Sequence, residues 1–193
     1  MKRAIPLYSR SSQSLLVMIL QRASERPGVP WRNGLGVQYE IACDGSLPDD
    51  WTWRVSTADI SRNVPFSLYP GVKREFCAAD GNGVVLAVNS VDYRCEPCSI
   101  TTFRGDDCVA ATLIDGPIQA LNVMLRVGSV SESRSLRIER SGQHAIHAQV
   151  IVAILGSASV EIGNQVVELR LLDAIINLSS MDAIIRTGTV AAF

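Results

Sequence analysis

Histidine is scarce in this sequence, and its scarcity argues against the most common kind of protein metal site. The chain has two histidines in 193 residues, His144 and His147. In a region of predicted strands and turns, a spacing of three places them on opposite faces, so they make a poor pair of metal ligands. Cys95 and Cys98 form a Cys-x-x-Cys pair, but no second pair follows at zinc-ligand spacing and no βαβ pattern surrounds it. We therefore predict two ordinary thiols near a turn, no bound metal and no cofactor.

Net charge and long apolar runs are also missing. Lys and Arg total 18 against 19 Asp and Glu, a formal charge of -1, so the chain has no electrostatic footprint for nucleic acid or for an anionic membrane. The apolar run from Leu15 to Leu20 is too short to span a membrane, and no signal-peptide cleavage site accompanies it. We expect a cytoplasmic protein in which the five cysteines stay reduced.

Helix signals are scarce as well, and short strand signals take their place. Runs rich in Val, Ile, Leu, Thr and aromatic residues recur between Gly, Pro, Asn and Asp, as in GVQYEIA, TWRVSTA and LNVMLRV. Many short strands at such spacing are typical of antiparallel sandwiches and barrels. The fold class that the sequence predicts is therefore all-β.

A faint internal repeat indicates how the strands are organised. A constant offset of 75 residues aligns Gly81 with Gly156 and Asn89 with Asn164. In both copies the strand and turn signals follow in the same order. We predict two related β-barrels in tandem, a larger one ending near residue 128 and a smaller one from about residue 133, with a polar connector between them.

Strand alternation places polar side chains together on one face of each of three strands. These faces carry Gln38 and Glu40; Thr52, Arg54 and Ser56; and Asn122, Met124 and Arg126. Two interpretations stay open. In the first, the faces look at water, as one side of an antiparallel sheet commonly does. In the second, they line a barrel interior, where Arg54 and Arg74 form a fork for a carboxylate. Asn33, Ser56 and Asn122 then add neutral hydrogen bonds.

The segment PWRNGLGVQYE contains more than a bend requires, because a bend needs Gly or Asn but does not need Trp or Arg. We expect Gly34 and Gly36 to turn the backbone at the barrel mouth, and Asn33 to direct its amide toward the cavity. Trp31 either covers the rim as an apolar plate or lies in the core. Arg32 either pairs with a carboxylate or faces solvent.

Four motifs follow one another along the chain: PWRNGLGVQYEIA, WTWRVSTADIS, PFSLYPGVKRE and FRGDDCVAATLIDGPIQALNVMLRVG. Their order and separations resemble those found in the HutD/Ves family of small bacterial cupin-fold proteins. From about Leu15 to Gly128 the chain thus resembles that family. The resemblance implies a bicupin, two tandem antiparallel jelly-roll barrels. It implies an N-terminal extension at 1–12, a first cupin barrel with a ligand pocket at 13–128, and a second, smaller barrel at 129–193 packed on the first.

The same resemblance implies binding rather than catalysis. Cupin enzymes usually hold a metal through two His, a Glu and a later His, whereas this chain has no His before position 144. The family is regarded as non-catalytic, regulatory and linked to histidine utilisation and stress, so the implied ligand is a small carboxylate metabolite, such as a formylated amino acid or a urocanate-like compound. No nucleic acid or membrane partner is expected. The implied ligand-binding residues are Trp31, Asn33, Glu40, Arg54, Ser56, Ser67, Arg74, Asn122 and Met124; the implied set has no catalytic residue and no metal ligand.

Three positions depart from the family pattern. Leu35 stands where the family usually has a third Gly, Tyr39 where a basic residue is common, and Ala120 where an Asp is common. Two interpretations stay open: a salt bridge is absent from the pocket, or the ligand differs and the link to histidine breakdown does not hold.

Two other functions also stay open. A metal-independent enzyme, an isomerase or hydrolase of a small acid or sugar, would use Glu40 as general base and Tyr39 or a cysteine as acid. A carboxylate near a buried arginine, however, has a lowered pKa and is a weaker base. An interaction module would form a homodimer through apolar strands such as VIVAIL and AIINL, and such a dimer is compatible with ligand binding.

Overall fold

The computed structural model of the chain describes residues 3–7, 16–46, 49–142 and 144–193. The strands are β1 Arg3–Leu7, β2 Leu16–Gln21, β3 Gly28–Pro30, β4 Val37–Cys43, β5 Trp53–Ile60, β6 Val64–Pro65, β7 Val72–Asp80, β8 Val84–Val88, β9 Val91–Cys95, β10 Ile100–Arg104, β11 Val109–Leu113, β12 Ile118–Arg126, β13 Arg137–Arg140, β14 Ile146–Ile162, β15 Gln165–Leu169 and β16 Ala174–Ala192. The described helices are two 3-10 turns, Ala23–Glu25 and Val130–Ser133. The prediction of an all-β fold is confirmed.

The chain folds as two compact units. The middle unit is Pro27–Leu136, and the terminal unit combines Met1–Arg26 with Arg137–Phe193. This division differs from the expected boundaries, because β2 pairs with β16, Ile175 lying opposite Leu20. The described residues before Pro27 therefore belong with the C-terminal part of the chain. The motifs and the repeat contain no signal for this pairing, which joins segments about 150 residues apart.

The middle unit consists of two sheets. One has six strands in the order β10-β7-β12-β5-β4-β3, and the other has four in the order β6-β11-β8-β9. All of the pairs within these two sheets are antiparallel. Within the described ranges each sheet is an open path of strands rather than a closed ring. The predicted barrel of this unit is thus a two-sheet sandwich, because its edge strands are not hydrogen-bonded into a continuous cylinder.

An apolar core joins the two sheets of the middle unit. Phe76, Ala120 and Ile118 from the larger sheet belong to one buried cluster with Leu86 and Val109 from the smaller sheet. Alternation along each strand explains this packing, since every second side chain of β7 and β12 points to the same face. Burial of apolar area of this kind contributes about 25 cal/mol per Å².

The terminal unit is organised around two long strands that bend. In β14 the residues 150–152 lie opposite 174–176 of β16, and further along the residues 159–161 lie opposite residues 184–187. In each of these two stretches the residue numbers in β16 decrease as those of their partners in β14 increase, so the two strands are antiparallel there. The buried cluster of this unit is apolar and includes Ile151, Val160, Leu169, Ile175 and Ile185.

The 75-residue offset corresponds to similar hairpins in the two units. In the middle unit β8 and β9 meet at a turn where Val88 lies opposite Val91, and both turn residues have positive φ, as a type I′ turn requires. In the terminal unit β14 and β15 meet where Ile162 lies opposite Gln165. The second turn falls one residue earlier than the offset predicts, so the repeat holds for the order of elements and not for each residue.

No helix within the described residues is long and apolar enough to cross a membrane.

Candidate functional site

One face of the six-stranded sheet collects the polar residues that alternation predicted. Antiparallel partners that lie directly opposite each other share a face. One row across the sheet is formed in this way by Phe76, Asn122, Ser56 and Glu40. The neighbouring row is formed by Arg74, Met124, Arg54 and Cys43. Ser56, Arg74 and Asn122 are buried, so this face of the sheet is not exposed to bulk solvent at these positions.

A cleft opens on this face, wholly within the middle unit. Its lining residues are Trp31, Gln38, Ser56, Ala58, Ile60, Phe66, Ser67, Tyr69, Arg74, Asn122 and Met124. It encloses about 380 Å³, part of which is open to solvent, and the centre of a water molecule can occupy about 30 Å³ of that space. The enclosed part of the cleft therefore has room for a group of a few atoms, such as a carboxylate, and a larger ligand would extend into the open part.

Arg74 is the charged group among the described residues that line the cleft. It projects from β7, is 6% exposed, and donates from one terminal nitrogen to Asn122 Oδ1 at 2.9 Å and from the other to the Ser67 carbonyl oxygen at 3.3 Å. Its Nε is buried and has no hydrogen-bond partner. Among the described residues no carboxylate pairs with it. Burial lowers the pKa of Arg74 from 12.5 to about 10, because a charge removed from water is disfavoured.

Aromatic rings surround the guanidinium of Arg74. Its central carbon lies 5.2 Å from the centre of the Phe66 ring, 5.0 Å from that of Phe103 and 5.7 Å from that of Tyr69. Aromatic faces carry partial negative charge and attract cations at such distances, by about 0.5–2 kcal/mol per contact. The rings thus hold the cation in place without neutralising it, so it can still attract an anion.

The bend before β4 supplies an aromatic wall of the cleft. The backbone N–H of Trp31 donates to the Gly36 carbonyl oxygen at 2.9 Å, and this bond closes the loop. The Trp31 indole lies edge-on to the Phe66 ring, with the ring centres 6.0 Å apart. A Cβ at Gly36 would lie 2.7 Å from the indole, so glycine is needed there for close approach. Arg32 does not enter the cleft: its guanidinium lies 4.5 Å from the centre of the Tyr69 ring and pairs with Asp49.

The structure brings six of the nine expected ligand-binding residues together in the cleft. They are Trp31, Ser56, Ser67, Arg74, Asn122 and Met124. Their role in ligand binding stays a prediction.

Asn33 lies outside the cleft, contrary to the expected direction of its amide. The side-chain nitrogen donates to the Pro65 carbonyl oxygen at 3.0 Å, and Oδ1 accepts from Leu35 N–H at 3.1 Å. An Asn at a bend commonly hydrogen-bonds the backbone two residues on, and that local bond takes the acceptor here. Asn33 therefore shapes the loop that carries Trp31.

Arg54 and Glu40 form an ion pair with each other instead of lining the cleft. Arg54 Nε lies 3.0 Å from Glu40 Oε2 without the alignment of a hydrogen bond. In the register, Met124 lies between Arg54 and Arg74. The expected carboxylate fork of two arginines is therefore wrong as a description of this structure, since one of the two is already neutralised by a residue of the neighbouring strand.

Five lining residues were not among the expected set. Gln38, Ala58 and Ile60 follow from alternation along β4 and β5, so the signal was present. Phe66 and Tyr69 lie in the irregular segment between β6 and β7, where no periodicity indicates a direction.

The donor set of the cleft does not fit the metal that cupin enzymes hold. Its described lining offers a guanidinium, hydroxyls and amides but no His, Cys, Asp or Glu, and a guanidinium repels a cation. Over the described residues no group of three such ligands is arranged to hold a metal ion. The same lining lacks a carboxylate or imidazole that would act as a general base.

Comparison with known proteins decides the family. The profile of the HutD family matches residues 23–191. The chain belongs to the HutD family. HutD from Pseudomonas fluorescens SBW25, whose structure was determined in a formate condition, is 26% identical and has a TM-score of 0.70, with 91% of this chain and 97% of that protein covered.

Two further relatives of this HutD-family chain match over a shorter length. Protein Ves of Citrobacter koseri is 41% identical over 98 residues, 50% of this chain and 51% of Ves. An uncharacterised 21.2 kDa protein in the hutC 3′ region of Pseudomonas putida is 35% identical over 107 residues, 54% of this chain and 56% of that protein. The chain spans about half the length of the curated relatives it matches. Cupin-fold proteins such as Ylba of E. coli, 9% identical with a TM-score of 0.60, share the fold alone.

Proposed function

We propose that this HutD-family protein is a metal-free, non-catalytic binding protein for a small carboxylate, with Arg74 as the anchor. One observation carries the proposal: a buried guanidinium faces a cleft, its Nε has no partner, and no carboxylate of the described chain pairs with it. Buried charges are costly unless they are paired and hydrogen-bonded. A carboxylate ligand supplies the opposite charge and accepts from the terminal nitrogens, each of which has a second N–H group beside the one it already donates.

The cleft offers further groups to such a ligand. Charge-assisted hydrogen bonds contribute about 1.5–3 kcal/mol each, so Arg74 distinguishes an acid from its neutral amide. Ser56, Gln38 and Asn122 place hydroxyl and amide groups around the same space. Trp31 and Phe66 give it flat apolar walls. This combination suits a small, partly planar acid.

The relatives suggest the biological setting. The hutC-region protein of P. putida and HutD of P. fluorescens support a link with histidine utilisation, in which a formylated amino acid or a urocanate-like acid would be the ligand and the protein would act as a regulator. The free cysteines fit a reducing compartment such as the cytoplasm. Absence of a general base among the described lining residues supports binding over turnover.

Calorimetry with formate and with formamide tests the proposal, because the two molecules have nearly the same shape and differ in charge. Formate should give a saturable binding signal and formamide none. Arg74→Met should abolish the signal, and Arg74→Lys should weaken it, since lysine keeps the charge but loses the planar fork. Arg104→Met is the matched control, because Arg104 is 77% exposed on the neighbouring strand.

Two results would contradict the proposal. One is an absence of binding by formate, acetate and larger monocarboxylates at millimolar concentration. The other is carboxylate binding that Arg74→Met leaves unchanged, which would place the anion site elsewhere. Thermal unfolding gives an independent readout, because a ligand at a hundred times its dissociation constant adds about 2.7 kcal/mol to the free energy of unfolding.

A further inference from the structure

A second arginine lies on the same face of the sheet as Arg74. Met124 is opposite Arg74 on one side and opposite Arg54 on the other, so the two arginines sit in one row, two strands apart. Adjacent strands are about 4.8 Å apart, which separates the two backbone positions by roughly 10 Å. The side chain of Arg54 is 11% exposed. Arg54 itself does not line the cleft, but Met124 does, so a ligand held at Arg74 reaches Arg54 by extending past Met124.

Glu40 neutralises this second arginine. Its Oε2 lies 3.0 Å from Arg54 Nε, and its side chain is 46% exposed, so one side of the carboxylate is in contact with water. A register shift in β4 between Glu40 and Ala42 produces the arrangement. The extra residue puts Glu40 opposite Ser56 and Cys43 opposite Arg54, so that Glu40 and Cys43 both face the row of arginines although they are three positions apart.

We propose that Glu40 sets the number of carboxylates that the cleft accepts, by acting as an internal substitute for a second ligand carboxylate on Arg54. This inference rests on the proposed function, because it takes Arg74 as the anchor of the first carboxylate. With Glu40 in place, Arg54 offers no net charge, and a second ligand carboxylate would meet the like charge of Glu40. The wild-type site therefore selects acids with one carboxylate and an uncharged remainder. Glu40 is a positioning residue that acts through Arg54.

A pair of matched ligands measures this selectivity. Glutarate has two carboxylates, and glutaramate, its monoamide, has one carboxylate and the same skeleton; adipate and adipamate repeat the comparison one carbon longer. Wild-type protein should bind each monoamide at least as tightly as its diacid. In Glu40→Gln, which keeps the shape and removes the charge, the diacid should gain about tenfold over its monoamide at one or both lengths, as expected for one new charge-assisted contact.

The double variant Glu40→Gln/Arg54→Met tests whether the gain in diacid binding depends on Arg54. If the gain in diacid binding comes through Arg54, the double variant should lose it and return to the wild-type ratio. Because the readout is a ratio of two affinities measured on one protein, a general loss of stability does not produce it. Glu40→Ser is a second variant in case Glu40→Gln folds poorly, and thermal unfolding is measured before each titration.

The outcomes separate this inference from the proposed function. An unchanged ratio in both Glu40 variants, or a gain that survives removal of Arg54, overturns the role of Glu40 while carboxylate binding stands. A wild-type protein that prefers the diacids tenfold also overturns it, whatever the variants do. If no acid binds, or if Arg74→Met binds as wild type does, the proposed function fails first.

Discussion

Replacing Arg74 by methionine should leave the stability of the ligand-free protein nearly unchanged, although the residue is almost fully buried. Burial lowers the pKa of Arg74 from 12.5 to about 10, and each unit corresponds to about 1.4 kcal/mol. Below the folded-state pKa the side chain is protonated in both the folded and the unfolded chain. The penalty of about 3 kcal/mol is therefore present in full at neutral pH and is relieved only as the pH rises above about 10.

Methionine removes this penalty, and it also removes two hydrogen bonds and the cation–π contacts with three aromatic rings. At about 1 kcal/mol for each hydrogen bond and about 0.5 kcal/mol for each ring contact, their loss offsets the gain, and the net expectation is a change of no more than about 1 kcal/mol. For a chain of this size 1 kcal/mol shifts the unfolding temperature by about 2–4 °C. Melting followed by circular dichroism, without ligand, gives the value.

The control for this measurement is Leu121→Ala on β12, which truncates a fully buried side chain and should cost about 2–5 kcal/mol. If Arg74→Met lowers the unfolding temperature as much as Leu121→Ala does, the charge of Arg74 is already well compensated in the free protein. The cleft would then have no need of an anion.

Three further outcomes are expected. Affinity for formate should stay constant from about pH 6 to 9 and fall as the pH passes about 10, where free Arg74 loses its proton; a fall centred near pH 8 would contradict this. In Gly36→Ala, the added Cβ would lie 2.7 Å from the Trp31 indole, so the indole has to move. Calorimetry should then show that formate binds about fivefold more weakly, whereas an unchanged affinity would mean that the indole does not contribute to the site. Iodoacetamide followed by mass spectrometry should label exposed Cys108 at least about a hundredfold faster than Cys77, whose pKa burial raises to about 12; equal rates would mean that the β7 thiol is accessible.

Alternation predicted the site where strands are regular. The polar positions of β4, β5 and β12 were expected to share a face because every second residue points the same way, and Ser56 and Asn122 do line the cleft. Alternation alone does not determine which charged side chains on this face form pairs. The register shift after Glu40 brings a carboxylate to Arg54, and no local pattern in the sequence marks such a shift.

The remaining features depend on long-range contacts or on irregular backbone. Phe66 and Tyr69 reach the cleft from a segment without repeating dihedrals, so their direction is set by packing against Arg74 and Trp31. Asn33 was expected in the cavity, but its bond to the nearby backbone of Leu35 satisfies it first. By contrast, the all-β class and the succession of strands and turns along the chain follow from composition and turn residues alone.

The pairing of β2 with β16 has a consequence for synthesis on the ribosome. The strand Leu16–Gln21 emerges early, yet its partner residues Ala174–Ile176 are made about 150 residues later. At about 5–20 residues per second, roughly 8–30 seconds pass before these partner residues are made, and all of Pro27–Leu136 is synthesised in that interval. The nascent chain must therefore keep an apolar strand from associating wrongly until Ala174–Ile176 have been synthesised.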